Sequence, residues 1–148
     1  MRGLDVASLT RKMDKCKYEL GAKASSAFFK TPRMVQVSSI DEIDCSGFVR
    51  LVVWILAGVL LPDGSWKQGE WFEANGFKVS TTEACKLEDN VLRLLWMTPA
   101  QGGGVGHIAF CWNGQTFESY GGNGPGSRKF TGDTHFQKVS KVFVLAGI

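Results

Sequence analysis

A chain of 148 residues with 44% hydrophobic residues can bury a full core without disulfide or metal staples, which fits a single domain over residues 1–148. Its formal charge of +3, with no Lys/Arg run interleaved with aromatics, excludes the footprint of a nucleic-acid binder and leaves a weakly anionic polymer as a fitting partner. Cys16, Cys45, Cys85 and Cys111 stand far apart with no CxxC and no clustered His, so no metal site, cofactor or dense disulfide framework is expected, and isolated thiols fit a reducing compartment.

The N-terminal residues Met1-Arg2-Gly3-Leu4-Asp5 lack the basic, apolar, small-residue order of a secretory signal, so export by that route is not expected of this sequence. From Val6 to Ala27, Leu9, Met13, Cys16, Tyr18 and Leu20 recur among Lys and Arg at near-helical spacing, predicting an amphipathic first helix with Gly21 as a stop. Lys30 to Ile40, with Pro32 and two serines, reads as a loop. Then Ile43-Asp44-Cys45-Ser46-Gly47 runs into an apolar block ending near Leu60, which predicts a central helix buried on most sides and capped by Asp44 or Ser46. The run from Leu51 to Leu61 is about half the ~20 residues a membrane span requires, so insertion is not expected. A cysteine in the first turn of such a helix meets the positive end of the helix dipole and unpaired N–H groups, which favour the thiolate. Cys45 is therefore the candidate nucleophile, and the other three cysteines read as structural.

Pro62-Asp63-Gly64-Ser65 is a turn, and Trp66 to Phe72 a short helix or lid whose tryptophans either line a cleft or close the core. After a polar stretch around Thr81 to Asn90, strands are predicted at Val91–Met97, His107–Trp112, Gln115–Tyr120 and Val139–Leu145. The helical half thus spans about 1–75 and the sheet half about 90–148. Asn113-Gly114 marks a two-residue hairpin, because both positions of that turn need positive φ. The turn sets a register with Trp112 opposite Gln115, Phe110 opposite Phe117, Ala109 opposite Glu118 and His107 opposite Tyr120. His107, Ala109, Cys111, Thr116, Glu118 and Tyr120 then share one face, and Glu118 is the diagonal neighbour of His107 across the strands, with about 7–8 Å between their backbone positions. Ile108, Phe110, Trp112 and Phe117 form the core face.

A thiol nucleophile needs a base, and the base needs a group that fixes its tautomer. Cys45, His107 and Glu118 fill those roles in that order. His135, after Asp133 in a polar loop, is the rival base and reads as a surface histidine.

Asp44-Cys45-Ser46-Gly47-Phe48-Val49 opening an apolar helix, then Gly106-His107-Ile108-Ala109 opening a strand, then Thr116-Phe117-Glu118-Ser119 after a turn, resembles the NlpC/p60 family of cell-wall cysteine peptidases over roughly residues 15 to 145. The resemblance implies an α+β, papain-like fold, a buried N-terminal catalytic helix packed on a C-terminal antiparallel sheet. It implies Cys45 as nucleophile, His107 as base and Glu118 in a third position often held by His, Asn or Gln. Glu118-Ser119-Tyr120-Gly121-Gly122 is similar to phage-encoded members. Tyr18 resembles the family's upstream tyrosine, and Tyr18, Ser46 and Arg128 form the expected oxyanion and substrate set, Arg128 from the Gly-rich segment 121–128 bordering the cleft.

The implied activity is hydrolysis of an amide bond in the peptide part of peptidoglycan by a monomer, delivered by phage lysis, a virion or a secretion system. Acyl transfer on the same Cys-His pair, or an idle phage structural module, are the alternative readings. The chain departs from the family pattern: Thr98 to Gly104 replaces the Pro-Gly-Asp turn that commonly precedes the histidine strand, and the residues around Tyr18 match the family poorly.

Overall fold

A computed structural model describes residues 1–30, 36–100, 106–131 and 136–148. Among the described residues three α-helices, α1 (Gly3–Lys12), α2 (Cys45–Ala57) and α3 (Ser65–Ala74), precede or flank six strands: β1 (Val79–Ser80), β2 (Arg93–Met97), β3 (His107–Trp112), β4 (Gln115–Tyr120), β5 (Gly124–Lys129) and β6 (Lys141–Val144). The strands form one sheet in the order β1-β6-β2-β3-β4-β5, every pair antiparallel. This is the expected α+β arrangement of a buried helix on an antiparallel sheet. No helix among the described residues is long and apolar enough to cross a membrane.

The central helix forms because nine near-continuous apolar or small residues, Cys45 to Val53, all find partners: every one except Arg50 is buried. It packs on the face of β3 and β4 that carries Ile108, Phe110 and Phe117, with Phe48 edge-on to Phe110 at 6.3 Å. Burial of side chains of this size contributes roughly 1.5–3 kcal/mol each. Asp44 rather than Ser46 is the cap, its Oδ1 accepting the Gly47 N–H at 2.7 Å. The helix stops at Ala57 rather than near Leu60, because Gly58 takes a left-handed φ of 70°.

The first helix is shorter than the Val6–Ala27 expected. Past Lys12 the chain turns and extends, Lys17 pairing with Glu42 in a parallel bridge. There the Lys17 N–H donates to Asp41 O, the Ile43 N–H to Lys17 O and the Asp44 N–H to Ala22 O. Backbone groups that a longer helix would have used internally instead tie this segment to the residues leading into Cys45.

The Asn113-Gly114 turn is observed with φ of 49° and 75°, and its ladder pairs Trp112 with Gln115, Cys111 with Thr116 and Phe110 with Phe117, as the turn chemistry predicts. Two strands were not foreseen. The segment read as a Gly-rich loop is the edge strand β5, a place where Pro125 costs no ladder bond on the solvent side. The two-residue β1 lies on the opposite edge.

A second core covers the other side of the sheet, formed by Cys85, Leu95, Met97, Ala109, Cys111, Phe130, Phe136 and Val142. It explains why Ala109 and Cys111 share a face with His107. Trp66 is 57% exposed with its indole N–H donating to Glu70 at 2.6 Å, whereas Trp71 packs edge-on against Phe72 on the core's rim. Part of the expected Lys30–Ile40 loop, His135, and residues 101–104 of the Thr98–Gly104 stretch lie outside the described residues.

Candidate active site

Cys45 opens α2, directly after its cap Asp44. Its neighbour Gly47 admits no side chain: a Cβ there would lie 2.9 Å from Ile43 Cγ1 and 3.0 Å from both Ala22 O and Asp44 Oδ1. Close approach of the Ala22 carbonyl to the helix start is thus what fixes glycine in Asp-Cys-Ser-Gly. Three further bonds anchor this corner. The Ser119 hydroxyl of β4 donates to Ile43 O at 2.7 Å, and Gln68 of α3, fully buried, donates to Ser46 O and Pro62 O at 2.9 Å each.

His107 begins β3 and Glu118 lies on β4, and the structure brings both to Cys45. His107 Nε2 is 2.8 Å from Glu118 Oε1, and the ring also hydrogen-bonds the Cys45 side chain, which assigns Nδ1 to the sulfur. Burial by itself would lower the imidazole, but the bonds to Cys45 and Glu118 outweigh it and hold His107 at about 9 against an ordinary 6.5. Burial would likewise raise the Glu118 carboxyl, which is 0% exposed; bonds to His107 and Arg128 override this and hold it at about 2. The result is a buried carboxylate fixing the imidazole beside the Cys45 sulfur, the arrangement in which the proton-carrying group is aimed at a nucleophile.

The three residues expected around this group fare differently. Tyr18 does come to the site: burial first, then the nearness of Cys45 and Asp44, pushes its phenol above the ordinary range. It does so from an extended segment rather than from a helix. Ser46 is turned inward instead of toward a substrate. Its buried hydroxyl accepts from Lys23 Nζ at 2.8 Å and meets Asp44 Oδ1 at 3.3 Å. Arg128 stands on β5 with NH2 2.6 Å from Glu118 Oε1 and Nε 3.3 Å from Oε2. It binds the site's own carboxylate.

Lys23 was missed altogether. It pairs with Asp44 and Ser46, holding the helix cap from outside. Once the Lys17 and Ala22 backbone is known to bond residues 41–44, a lysine right after Ala22 is a natural partner for the Asp44 carboxylate.

No sequence-family model and no curated protein matches the chain. Solved structures do. The NlpC/p60 domain of the peptidoglycan hydrolase SagA is 21% identical and superposes with a TM-score of 0.60 over 97% of this chain and 98% of that one. The P60 domain of an antigen from M. avium subspecies paratuberculosis is 18% identical, with a TM-score of 0.59 over 95% and 91%. RipD from Mycobacterium tuberculosis, described as a non-catalytic NlpC/p60 domain protein adapted to peptidoglycan binding, is 14% identical, with a TM-score of 0.50 over 99% of both chains. The helix-on-sheet architecture of this chain is accordingly the NlpC/p60 fold.

Proposed function

We propose that the chain is a single-domain cysteine peptidase that hydrolyses an amide bond in the stem peptide of bacterial peptidoglycan. The observation that carries this reading is the double engagement of His107, hydrogen-bonded on one side to Cys45 and on the other, at 2.8 Å, to the buried Glu118. Catalytic and non-catalytic proteins share the fold, so the fold alone does not decide activity. A thiol aimed at a carboxylate-backed imidazole does favour catalysis. The substrate class comes from the SagA neighbour, itself a peptidoglycan hydrolase.

In the reaction the Cys45 proton rests on His107, as an imidazole held at about 9 favours, and the thiolate attacks the scissile carbonyl, forming a C–S bond. The oxyanion of the tetrahedral intermediate is held by first-turn N–H groups of α2, which have no carbonyl one turn back, and by the Tyr18 hydroxyl. His107 then gives its proton to the leaving amine as the C–N bond breaks. Water, deprotonated by His107, attacks the acyl-enzyme and releases the acid and the free thiol. Glu118 stays ionised throughout and keeps Nε2 occupied, so that Nδ1 faces sulfur.

Purified peptidoglycan incubated with the wild-type protein should release new primary amines, and Cys45→Ala should release none. Equal release by both would remove Cys45 from the mechanism, and no release by the wild type would leave a binding role.

A further inference from the structure

We propose that Arg128 is the positioning residue of this site: from the edge strand it clamps both oxygens of Glu118, so that Oε1 is an ionised, fixed acceptor for His107 Nε2. The inference rests on the Cys45–His107–Glu118 reading and adds a fourth, outer residue to it.

The geometry follows from the β4–β5 register. Thr116 is opposite Arg128 and Glu118 opposite Gly126, so Arg128 is the diagonal neighbour of Glu118 on the same face, and Gly126 puts no side chain between them. The guanidinium reaches across that gap with two donors, NH2 at 2.6 Å and Nε at 3.3 Å. Its carbon lies 4.2 Å from the Tyr120 ring centroid and 5.4 Å from that of Phe136, so aromatic faces fix its plane. A planar fork and two ring contacts make this an arginine position, because a lysine ammonium has neither the second aligned donor nor the stacking surface.

Oε1 is shared, taking Arg128 NH2 and His107 Nε2 together. Charge then alternates from Arg128 through Glu118 to His107. Among the described residues the groups facing Glu118 are His107 and the Cys111 thiol from β3, Arg128 from β5 and the Thr116 hydroxyl from β4, with Cys45 beyond His107. Arg128 and His107 are the two cations in that set. Take Arg128 away and a fully buried carboxylate retains only the imidazole as counter-charge, so it protonates at higher pH and ceases to orient the base.

Two readouts test this. The first needs no substrate: the Glu118 carboxyl is followed by ¹³C NMR titration in the Cys45→Ala protein, with Arg128, Arg128→Met and Arg128→Lys compared. The methionine variant should titrate at least ~1 pH unit higher, with the lysine variant between. An unchanged titration overturns the proposal. Should Arg128→Met not fold, Arg128→Lys decides by the same criterion. The second readout is the pH profile of peptidoglycan cleavage. Arg128→Met should move the acid limb to higher pH and lower kcat with KM within about twofold of wild type. A raised KM with kcat and profile unchanged would make Arg128 a substrate ligand and overturn the proposal. If the wild type hydrolyses nothing, the hydrolase reading fails while the titration still decides the role of Arg128.

Discussion

Glu118→Gln replaces a buried anion by a neutral amide of the same shape, and its effect on stability should depend on pH in a way that can be worked out beforehand. In the fold the carboxyl sits at about 2, against an ordinary 4.5. Between those values the unfolded chain binds a proton that the folded chain does not, so stability falls as pH falls. The contribution is complete above about pH 4.5 and gone below about pH 2. Each pH unit of the gap is worth about 1.4 kcal/mol, so the whole is about 3 kcal/mol, of which about 2 kcal/mol is lost by pH 3. His107 adds no slope in this window, because below its ordinary 6.5 it is protonated in both states. Other carboxylates, such as Asp89 paired with Arg93, titrate alike in both proteins and cancel in the difference. Urea unfolding at several pH values from about 7 down to about 3 gives the stability gap between wild type and Glu118→Gln. That gap should be widest at neutral pH and shrink by about 2 kcal/mol at pH 3. A gap independent of pH would refute the picture of an ionised, paired Glu118.

Three further outcomes are expected. Asp44→Ala removes the helix cap and the partner of Lys23, and should cost about 1–2 kcal/mol in urea unfolding at neutral pH; a loss of a few tenths would show that the cap is not holding the helix start. Gly47→Ala drives a Cβ against Ile43 and the Ala22 carbonyl, and should lower stability by about 1–3 kcal/mol together with hydrolysis, measured by thermal melts and amine release; a fully active, wild-type-stable variant would contradict the close approach described. His107→Ala should reduce turnover by at least ~10²-fold while His135→Ala stays near wild type, and the reverse pattern would reassign the base.

The parts of the site legible in the sequence are those set by local chemistry. Asn113-Gly114 demands positive φ at two positions, and that demand carries the register that puts His107 and Glu118 on one face. The Asp44 cap and the apolar run behind Cys45 likewise declare a buried helix. What could not be read depends on contacts between distant segments. Residues 13–22 have helical spacing, yet the Lys17 N–H and carbonyl and the Ala22 carbonyl are taken by Asp41, Ile43 and Asp44, a competition invisible along one segment. Gly124 to Lys129 has neither alternation nor β-branched residues, and is a strand only because β4 offers an edge; without it Arg128 could not be placed beside Glu118. The second core draws Cys85, Phe130 and Phe136 from separate turns, so no periodicity announces it.

The central claim is that Cys45, aimed by His107 and Glu118, cuts an amide of the cell-wall peptide. Mass spectrometry of muropeptides from purified peptidoglycan treated with wild type and with Cys45→Ala tests it most directly. The wild-type digest should contain products that pair a new amine with a new carboxylate across one stem-peptide bond, and the variant should leave the substrate untouched. Unaltered muropeptides after wild-type treatment, or the same products from both proteins, would contradict it.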